Sequence, residues 1–170
     1  MDQVILVDRD DNEVGQMDKM SAHKTGKLHR AFSILVFNSR NELMLQKRAR
    51  TKYHSGGLWT NTCCSHPRSG EAMTDAVKRQ VRHEMGIDIE PNFLFKFTYY
   101  ANLDNQLTEH EIDYVFTGFY EGEPQINPNE AEDWCWESLL NLRRWIKEEP
   151  GQFTVWFKKI IDLLPDDFKQ

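Results

Sequence analysis

The sequence predicts one α/β domain of the α+β type, in which mixed or antiparallel β-sheets are flanked by helices. The chain has 170 residues, which is enough for one compact core and short of what two domains usually need. Short β-rich runs separated by turn residues fill much of residues 1–120, and helical patterns interrupt and then follow them. We therefore expect a single domain over residues 1–170.

Two β-hairpins are predicted near the start of the chain. A short apolar strand over residues 4–7 is followed by a turn at residues 10–12 and a second strand over residues 13–17. The polar segment SAHKTGKLHR, which contains Gly26, predicts a loop. Two β-rich runs within AFSILVFNSRNELMLQKRA then flank a turn at residues 38–41, which predicts the second hairpin.

Helices are predicted in the middle and at the end of the chain. Residues 73–85 place four apolar side chains on one helical face, and Gly86 ends the pattern. Two further strands, in FLFKFTYYANL and EHEIDYVFTGFY, flank a turn at residues 104–105. The segment WCWESLLNLRRWIKEEPG predicts a strand that leads into a helix, and FTVWFKKIIDLLPDD predicts a final helix that stops at Pro165.

Composition and charge exclude several classes of function. The N-terminal segment lacks the basic start and long apolar stretch of a secretory signal, and no run approaches a membrane span. Three cysteines, two of them adjacent, favour a reducing compartment, so we expect a cytoplasmic protein with no membrane partner. A net charge of -6 argues against nonspecific nucleic-acid binding, although a locally basic pocket or a metal ion can still hold a small anion.

Two acidic residues in a β-rich run indicate a possible site. Glu109 and Glu111 are two residues apart, so both carboxylates project from one face of a strand while His110 points away. They would therefore converge on one site. The alternative is a solvated polar face, which is the commoner fate of acidic residues on a half-exposed strand.

Cys64 and His66 show the same spacing just ahead of Pro67. In an extended segment the thiol and the imidazole point to one side, and Cys63 points to the other. A redox or metal pair is one interpretation. The other is a buried cysteine beside a loop histidine, because free cysteine is often a small buried apolar residue.

Three histidines and the two acids form a candidate metal-ligand set. The members of this His3Glu2 set are His23, His29, His66, Glu109 and Glu111. Imidazole suits zinc, manganese or iron, and two carboxylates favour a higher coordination number than tetrahedral structural zinc has. The alternative is that each is an ordinary surface histidine. We adopt that alternative for the histidines without matching partners, which are His54, His83 and His110.

Five segments occur in order over nearly the whole chain: SAHKTGKLHRAFS, LWTNTCCSHP, HEMG, TEHEIDYVF and FTVWFKK. Together they resemble the type I isopentenyl-diphosphate isomerase family, and the most specific parts are HRAFS and NTCCSHP. The resemblance implies a Nudix-like fold and the interconversion of isopentenyl and dimethylallyl diphosphate by protonation and deprotonation through a carbocation. It also implies a small-molecule diphosphate substrate, and we expect a monomer or weak homodimer.

The resemblance further implies roles for individual residues. The His3Glu2 set matches the family's divalent-metal ligands, for which we expect Mn²⁺ or Zn²⁺. Cys64 and Glu111 match the catalytic pair, Tyr99 a tyrosine that hydrogen-bonds the catalytic carboxylate, and Trp156 a ring that faces the reacting carbons. From spacing alone, a tryptophan in such a helix is usually part of the core.

The same resemblance places the diphosphate. Lys19, Arg48 and Lys52 match positions around it, and Glu84 matches a residue that holds a Mg²⁺ ion bound to the diphosphate. Without the resemblance, lysine and arginine usually lie on a solvated face, and Glu84 would be a surface charge at the end of a helix.

Residues 65–87 resemble a Nudix box with departures. The matching positions are Glu71, Arg79, Glu84 and Gly86, whereas Ser65 replaces a glycine and Gln80 and His83 replace glutamates. The acidic cluster that gathers metal ions for pyrophosphate hydrolysis is therefore depleted. A Nudix-type pyrophosphohydrolase remains one alternative function, and a noncatalytic metal-binding domain remains the other.

Overall fold

The computed structural model describes residues 2–169, so Met1 and Gln170 at the ends of the predicted domain lie outside the described residues. The strands of this range are β1 Gln3–Val7, β2 Glu13–Asp18, β3 His29–Phe37, β4 Glu42–Arg48, β5 Trp59–Thr60, β6 Cys63–Ser65, β7 Asn92–Asn102, β8 Thr108–Phe119 and β9 Ala131–Ser138. The helices are α1 Lys19–Thr25, α2 Met73–Met85, α3 Leu139–Glu148 and α4 Val155–Leu163. Two 3-10 turns lie at Asp104–Gln106 and Pro150–Gln152.

The strands join into one mixed sheet, which is one of the two arrangements that the sequence leaves open. Its centre is a parallel pair, β3 and β8, in which His29 lies opposite Glu111. The other pairings are antiparallel: β7 pairs with β8, β6 and β1 pair with β3, and β9 pairs with β4. Parallel strands start at the same edge of a sheet, so the first residues of β3 and β8 lie side by side.

The sheet separates two apolar layers. Along β3, Ile34 and Val36 pack with residues of α2, whereas Leu35 and Phe37 pack with residues of α3 and α4. Successive side chains of a strand point to opposite faces, so α2 covers one face and the C-terminal helices cover the other, called here the α4 face. Val115 of β8 packs on the α4 face, and strand alternation places Glu109 and Glu111 on that face too.

Most predicted elements are confirmed, and one is wrong. The central helix has the predicted bounds, Met73–Met85, and Gly86 caps it in the left-handed conformation. The segment predicted as a polar loop instead contains α1, whose N-terminus is capped by the Asp18 carboxylate accepting from the Ser21 backbone N–H. This helix lacks a long apolar stripe, so polar composition alone favoured a loop. Among residues 2–169, none of the helices has the length and apolar character needed to cross a membrane.

Candidate active site and metal centre

A cavity of about 620 Å³ lies on the α4 face, at the edge where β3 and β8 begin. The predicted residues that line it are Lys19, Arg48, Lys52, Cys64, His66, Glu84, Tyr99, Glu109, Glu111 and Trp156. The two other predicted residues, His23 and His29, are fully buried beside it. The fold therefore gathers side chains that are far apart in the sequence around one cavity.

Four of the five residues of the predicted His3Glu2 set form a tight group, called here the metal cluster. It consists of His23 on α1, His29 at the start of β3, His66 after β6 and Glu111 on β8, and one ligand atom from each lies within 4.8 Å of the others. The Nε2 atoms of His66 and His29 lie 3.0 Å and 3.2 Å from Glu111 Oε1. Three elements of secondary structure and one loop thus meet at one carboxylate.

The histidines of the cluster are oriented by the backbone. His29 Nδ1 lies 2.8 Å from the Lys27 carbonyl, and His23 Nδ1 lies 3.2 Å from the Thr108 carbonyl. Within residues 2–169, the Nε2 atoms of His23 and His29 are buried and have no hydrogen-bond partner of acceptable geometry. Buried polar atoms are normally satisfied. Imidazole nitrogens with a free lone pair, beside a carboxylate, are ligands that a divalent metal ion prefers. The residues of the cluster therefore fit such an ion.

The protonation of the cluster also suits a cation. Burial, despite the opposing effect of Glu111, lowers the pKa of His66 to about 3, so its imidazole is neutral. Burial opposes ionisation of Glu111, but its contacts with His29 and His66 outweigh that effect and hold its pKa well below the usual value. Tyr99 donates a 2.7 Å hydrogen bond to the other oxygen of Glu111, Oε2. The carboxylate is therefore ionised and fixed at both oxygens.

Glu109, the fifth predicted ligand, lies outside this tight group. Its Oε2 is 3.4 Å from His23 Nδ1, and its Oε1 is 3.1 Å from Nε2 of His54. Burial, followed by the negative charge of Glu111, raises the pKa of Glu109 well above its usual value. The carboxylate thus stands beside the cluster and is held by a residue that the sequence did not single out.

The interpretation of His54 as an ordinary surface histidine is wrong. The residue is only 2% exposed and lines the cavity. Burial, followed by the charge of Arg48, lowers its pKa to about 2. His54 lies in an irregular segment between β4 and β5, where no periodic pattern distinguishes buried from exposed positions. His83 also lines the cavity, but its side chain is 55% exposed, as expected of a surface histidine.

β3 separates the two predicted proton-transfer residues. Cys64 lies on β6 opposite Ser33, whereas Glu111 lies on β8 opposite His29. Two strand spacings place β6 and β8 roughly 10 Å apart. The small residues Ala31 and Ser33 line the cavity between them. Burial raises the pKa of the Cys64 thiol, so a neutral thiol and an ionised carboxylate face one space that accommodates a short hydrocarbon.

Trp156 is both a core residue, as helical spacing predicts, and part of the cavity wall, as the family resemblance predicts. The side chain belongs to the apolar layer of the α4 face and is 3% exposed, yet it also lines the cavity. The guanidinium of Arg48 lies 5.4 Å from the centre of its ring. The ring is therefore held rigidly, with a cation-binding aromatic surface beside the reactive groups.

The three predicted basic residues line the cavity, in a part called here the mouth, and already have partners. Arg48 Nη2 donates to the His54 carbonyl at 3.2 Å, and Lys52 forms an ion pair with Glu130. Lys19 Nζ lies 5.0 Å from the ring centre of Tyr53. The mouth thus holds three cations close together, which suits an anionic group of more than one negative charge.

Glu84 is a buried residue and not a surface charge. It is 6% exposed, and its two oxygens accept 2.8 Å hydrogen bonds from the amides of Gln46 and Gln80. Gln80 stands where a Nudix box has a glutamate. In place of a second carboxylate, this position therefore provides an amide that orients Glu84. The box keeps its Glu71–Arg79 ion pair at 2.7 Å, which ties the loop to α2.

The residues that line the cavity and that the sequence interpretation did not assign to the site include Tyr53, His54, Asp113 and Glu130. Asp113 continues the alternation of Glu109 and Glu111 along β8, and that spacing was a usable signal. Its Oδ2 accepts from the Ser33 hydroxyl at 2.8 Å, and burial, followed by the charge of Glu111, raises its pKa to about 8. The other three lie in loops, where no signal of this kind exists.

Comparison with known proteins places the chain among relatives of similar length. A family model described as NUDIX domain matches residues 27–157. "Isopentenyl-diphosphate Delta-isomerase 1" of Aromatoleum aromaticum is 52% identical over 161 residues, which cover 95% of this chain and 91% of that protein. "Isopentenyl-diphosphate Delta-isomerase 2" of Photorhabdus laumondii is 51% identical over 163 residues, covering 95% and 92%. A crystal structure of a Deinococcus radiodurans protein has a TM-score of 0.78 at 18% identity, covers 95% of this chain and 98% of that chain, and shows similarity of fold alone.

Proposed function

The chain belongs to the isopentenyl-diphosphate Delta-isomerase family of NUDIX-domain proteins, and from this premise we propose that it isomerises isopentenyl diphosphate through Cys64 and Glu111. The observation that carries the assignment of residues is the placement of a thiol and a carboxylate on opposite sides of β3, in one cavity. A double-bond shift needs this arrangement, because one group must give a proton to an alkene carbon while another removes a proton two carbons away.

The proposed reaction moves one double bond and two protons. The terminal alkene carbon of isopentenyl diphosphate gains a proton, a tertiary cation forms at the branched carbon, and loss of a proton from C2 yields dimethylallyl diphosphate. The reaction is reversible, so Cys64 and Glu111 exchange the roles of acid and base with its direction. Tyr99, which donates to Glu111 Oε2, is positioned to reload that carboxylate with a proton.

The metal cluster would hold a divalent ion through His23, His29, His66 and Glu111, with Glu109 beside it. Such an ion, when bound, makes a coordinated carboxyl group more acidic, which is what protonation of a weakly basic alkene requires. We assign Mn²⁺ or Zn²⁺ to this site and Mg²⁺ to Glu84. The histidine nitrogens support the first assignment, and the oxygen ligand near the diphosphate mouth supports the second.

The cavity walls protect the cation. Trp156 offers an indole face, which stabilises a desolvated cation by roughly 2 kcal/mol or more without capturing it. Water would trap the cation as an alcohol, so the buried apolar wall must exclude it. Lys19, Arg48 and Lys52 at the mouth hold the diphosphate and leave the hydrocarbon to point inward.

We also propose that residues 1–170 form one isomerase domain that acts in the cytoplasm. It would act on a small diphosphate as a monomer or weak homodimer. No nucleic acid or membrane takes part. The net charge of -6 supports the absence of nucleic acid, and the cavity of about 620 Å³ supports a small-molecule substrate.

Isotope exchange tests the proposal directly. In heavy water the native chain should convert isopentenyl diphosphate into deuterated dimethylallyl diphosphate without releasing phosphate. Cys64→Ala and Glu111→Gln should each abolish incorporation, which mass spectrometry detects, while Cys63→Ala should retain it because Cys63 packs in the other apolar layer. Full incorporation in either of the first two variants contradicts the pairing. Phosphate release would instead favour the pyrophosphohydrolase alternative, and activity absent from the native chain would favour the metal-binding domain.

A further inference from the structure

His54 lies at the junction of the three parts of the cavity. Its Nε2 is 3.1 Å from Glu109 Oε1, its ring meets the ring of Trp156 edge-on at 5.7 Å, and its carbonyl accepts from Arg48. The residue is 2% exposed, so these contacts are sheltered from water.

The contacts of His54 suit a proton on Nε2 when Glu109 binds a metal ion. A ligating carboxylate is ionised and can only accept hydrogen bonds, so Nε2, 3.1 Å from Oε1, would then be the donor. The Ser55 hydroxyl lies 3.2 Å from Nδ1 and can donate to it. The backbone N–H of Ser55 donates in turn to the Asp104 carboxylate at 3.2 Å, which ties this loop to the turn between β7 and β8. A chain of contacts therefore runs from the loop through His54 to Glu109.

The contact leaves the second oxygen of Glu109 available. Within the described part of the chain, Glu109 Oε2 is buried, has no hydrogen-bond partner of acceptable geometry, and lies 3.4 Å from His23 of the metal cluster. A buried carboxylate oxygen without a partner is energetically unfavourable unless a cation or another donor satisfies it. His54 thus holds one oxygen while the other remains free beside the cluster.

We propose that His54 is a positioning residue that orients Glu109 as a ligand of the divalent ion held by the metal cluster. Ligating carboxylates are normally held by such outer hydrogen bonds, and loss of an outer partner typically lowers metal affinity about 10- to 100-fold. The inference rests on the proposed function only in assigning a divalent ion to the cluster.

A pair of substitutions separates hydrogen bonding from packing. His54→Phe keeps an aromatic ring against Trp156 but removes the donor to Glu109, whereas His54→Gln keeps an amide donor. With Mn²⁺ as the probe and free Mn²⁺ measured by electron paramagnetic resonance, His54→Phe should weaken binding by about 10- to 100-fold. His54→Gln should stay within a few-fold of the native chain, and so should His110→Phe, on the opposite face of β8.

A double-mutant cycle tests whether His54 acts through Glu109. In a Glu109→Gln background, His54→Phe should cause no further loss of Mn²⁺ affinity, because its partner carboxylate is already gone. Native affinity in His54→Phe, or an equal loss in both backgrounds, would overturn the inference. If circular dichroism shows that His54→Phe does not fold, Ser55→Ala carries the same test: a smaller loss is expected, again only when Glu109 is present.

The Mn²⁺ measurement distinguishes this inference from the proposed function. A native chain that binds Mn²⁺ with the predicted dependence on His54 but produces no deuterated product would remove the isomerase proposal and keep the positioning role. A native chain that isomerises its substrate while His54→Phe binds Mn²⁺ normally would remove the positioning role alone.

Discussion

The metal cluster and the cavity mouth satisfy their polar groups in opposite ways. In the described part of the chain, buried nitrogens of His23 and His29 in the cluster lack hydrogen-bond partners. At the mouth, Lys52 is paired with Glu130, and both oxygens of Glu84 accept amide hydrogen bonds. A divalent ion would supply the partner that the cluster nitrogens lack, whereas a diphosphate bound at the mouth, as proposed, would have to replace partners that the mouth residues already have. Substitutions in the cluster should therefore lower metal content, whereas substitutions at the mouth should change KM and leave metal content unchanged.

The largest effect is expected within the cluster. His66→Ala removes an imidazole 3.0 Å from Glu111 and should abolish both turnover and bound metal, because a first ligand contributes more than the roughly 10- to 100-fold of an outer partner. Metal analysis of the purified chain, together with the isomerase assay, measures both. His83→Ala is the control and should keep its metal. Normal metal content in His66→Ala would place the ion elsewhere.

Arg48→Met should give the next largest effect, and it should fall on substrate binding. A hydrogen bond to a charged group contributes about 1.5–3 kcal/mol, so KM should rise by roughly 10- to 100-fold. Metal content should be unchanged, since Arg48 hydrogen-bonds the backbone carbonyl of His54 and is not a member of the metal cluster. Steady-state kinetics at several substrate concentrations separates KM from kcat. An unchanged KM would show that the mouth does not bind the diphosphate through this residue.

Glu84→Gln should alter the response to Mg²⁺ more than the reaction itself. Removing the charge removes the proposed Mg²⁺ ligand but leaves two amides to interact with the new side chain. We expect the stimulation by added Mg²⁺ to disappear and KM to rise only about 10-fold, the lower end of the range for an outer partner, because Mg²⁺ would keep its waters and diphosphate oxygens as ligands. A Mg²⁺ titration at fixed Mn²⁺ measures this. A full Mg²⁺ response in the variant would contradict the assignment.

Glu130→Gln should have the smallest effect, and in the opposite direction. The Lys52–Glu130 pair is partly exposed, with about a fifth of each side chain accessible, and such pairs contribute about 0–1 kcal/mol. Releasing Lys52 should therefore lower KM by up to about fivefold, with metal content unchanged. A rise in KM would indicate that Glu130 itself takes part in substrate binding. It would contradict the idea that the diphosphate replaces Glu130 as the partner of Lys52.

Periodic parts of the fold could be predicted from the sequence. The central helix has the predicted bounds, and the spacing of Glu109 and Glu111 correctly places both on one face of β8. Cys63 and Cys64 lie on opposite faces, as their alternation predicts. The helix α1 was missed because its sequence is polar and its stability comes from caps. His54 was missed because a loop has no period from which burial can be read.

The sequence by itself determined the family, an α/β domain with a mixed or antiparallel sheet, and the types of residue available for chemistry. Segments such as NTCCSHP and HRAFS carry that information because they fix residue types at fixed positions. Tertiary structure alone decided which of those residues meet. The parallel pairing of β3 with β8 sets His29 beside Glu111, and the packing of a loop turns His54 toward Glu109. Strand register and loop packing depend on contacts between distant segments, and local sequence patterns do not contain those contacts.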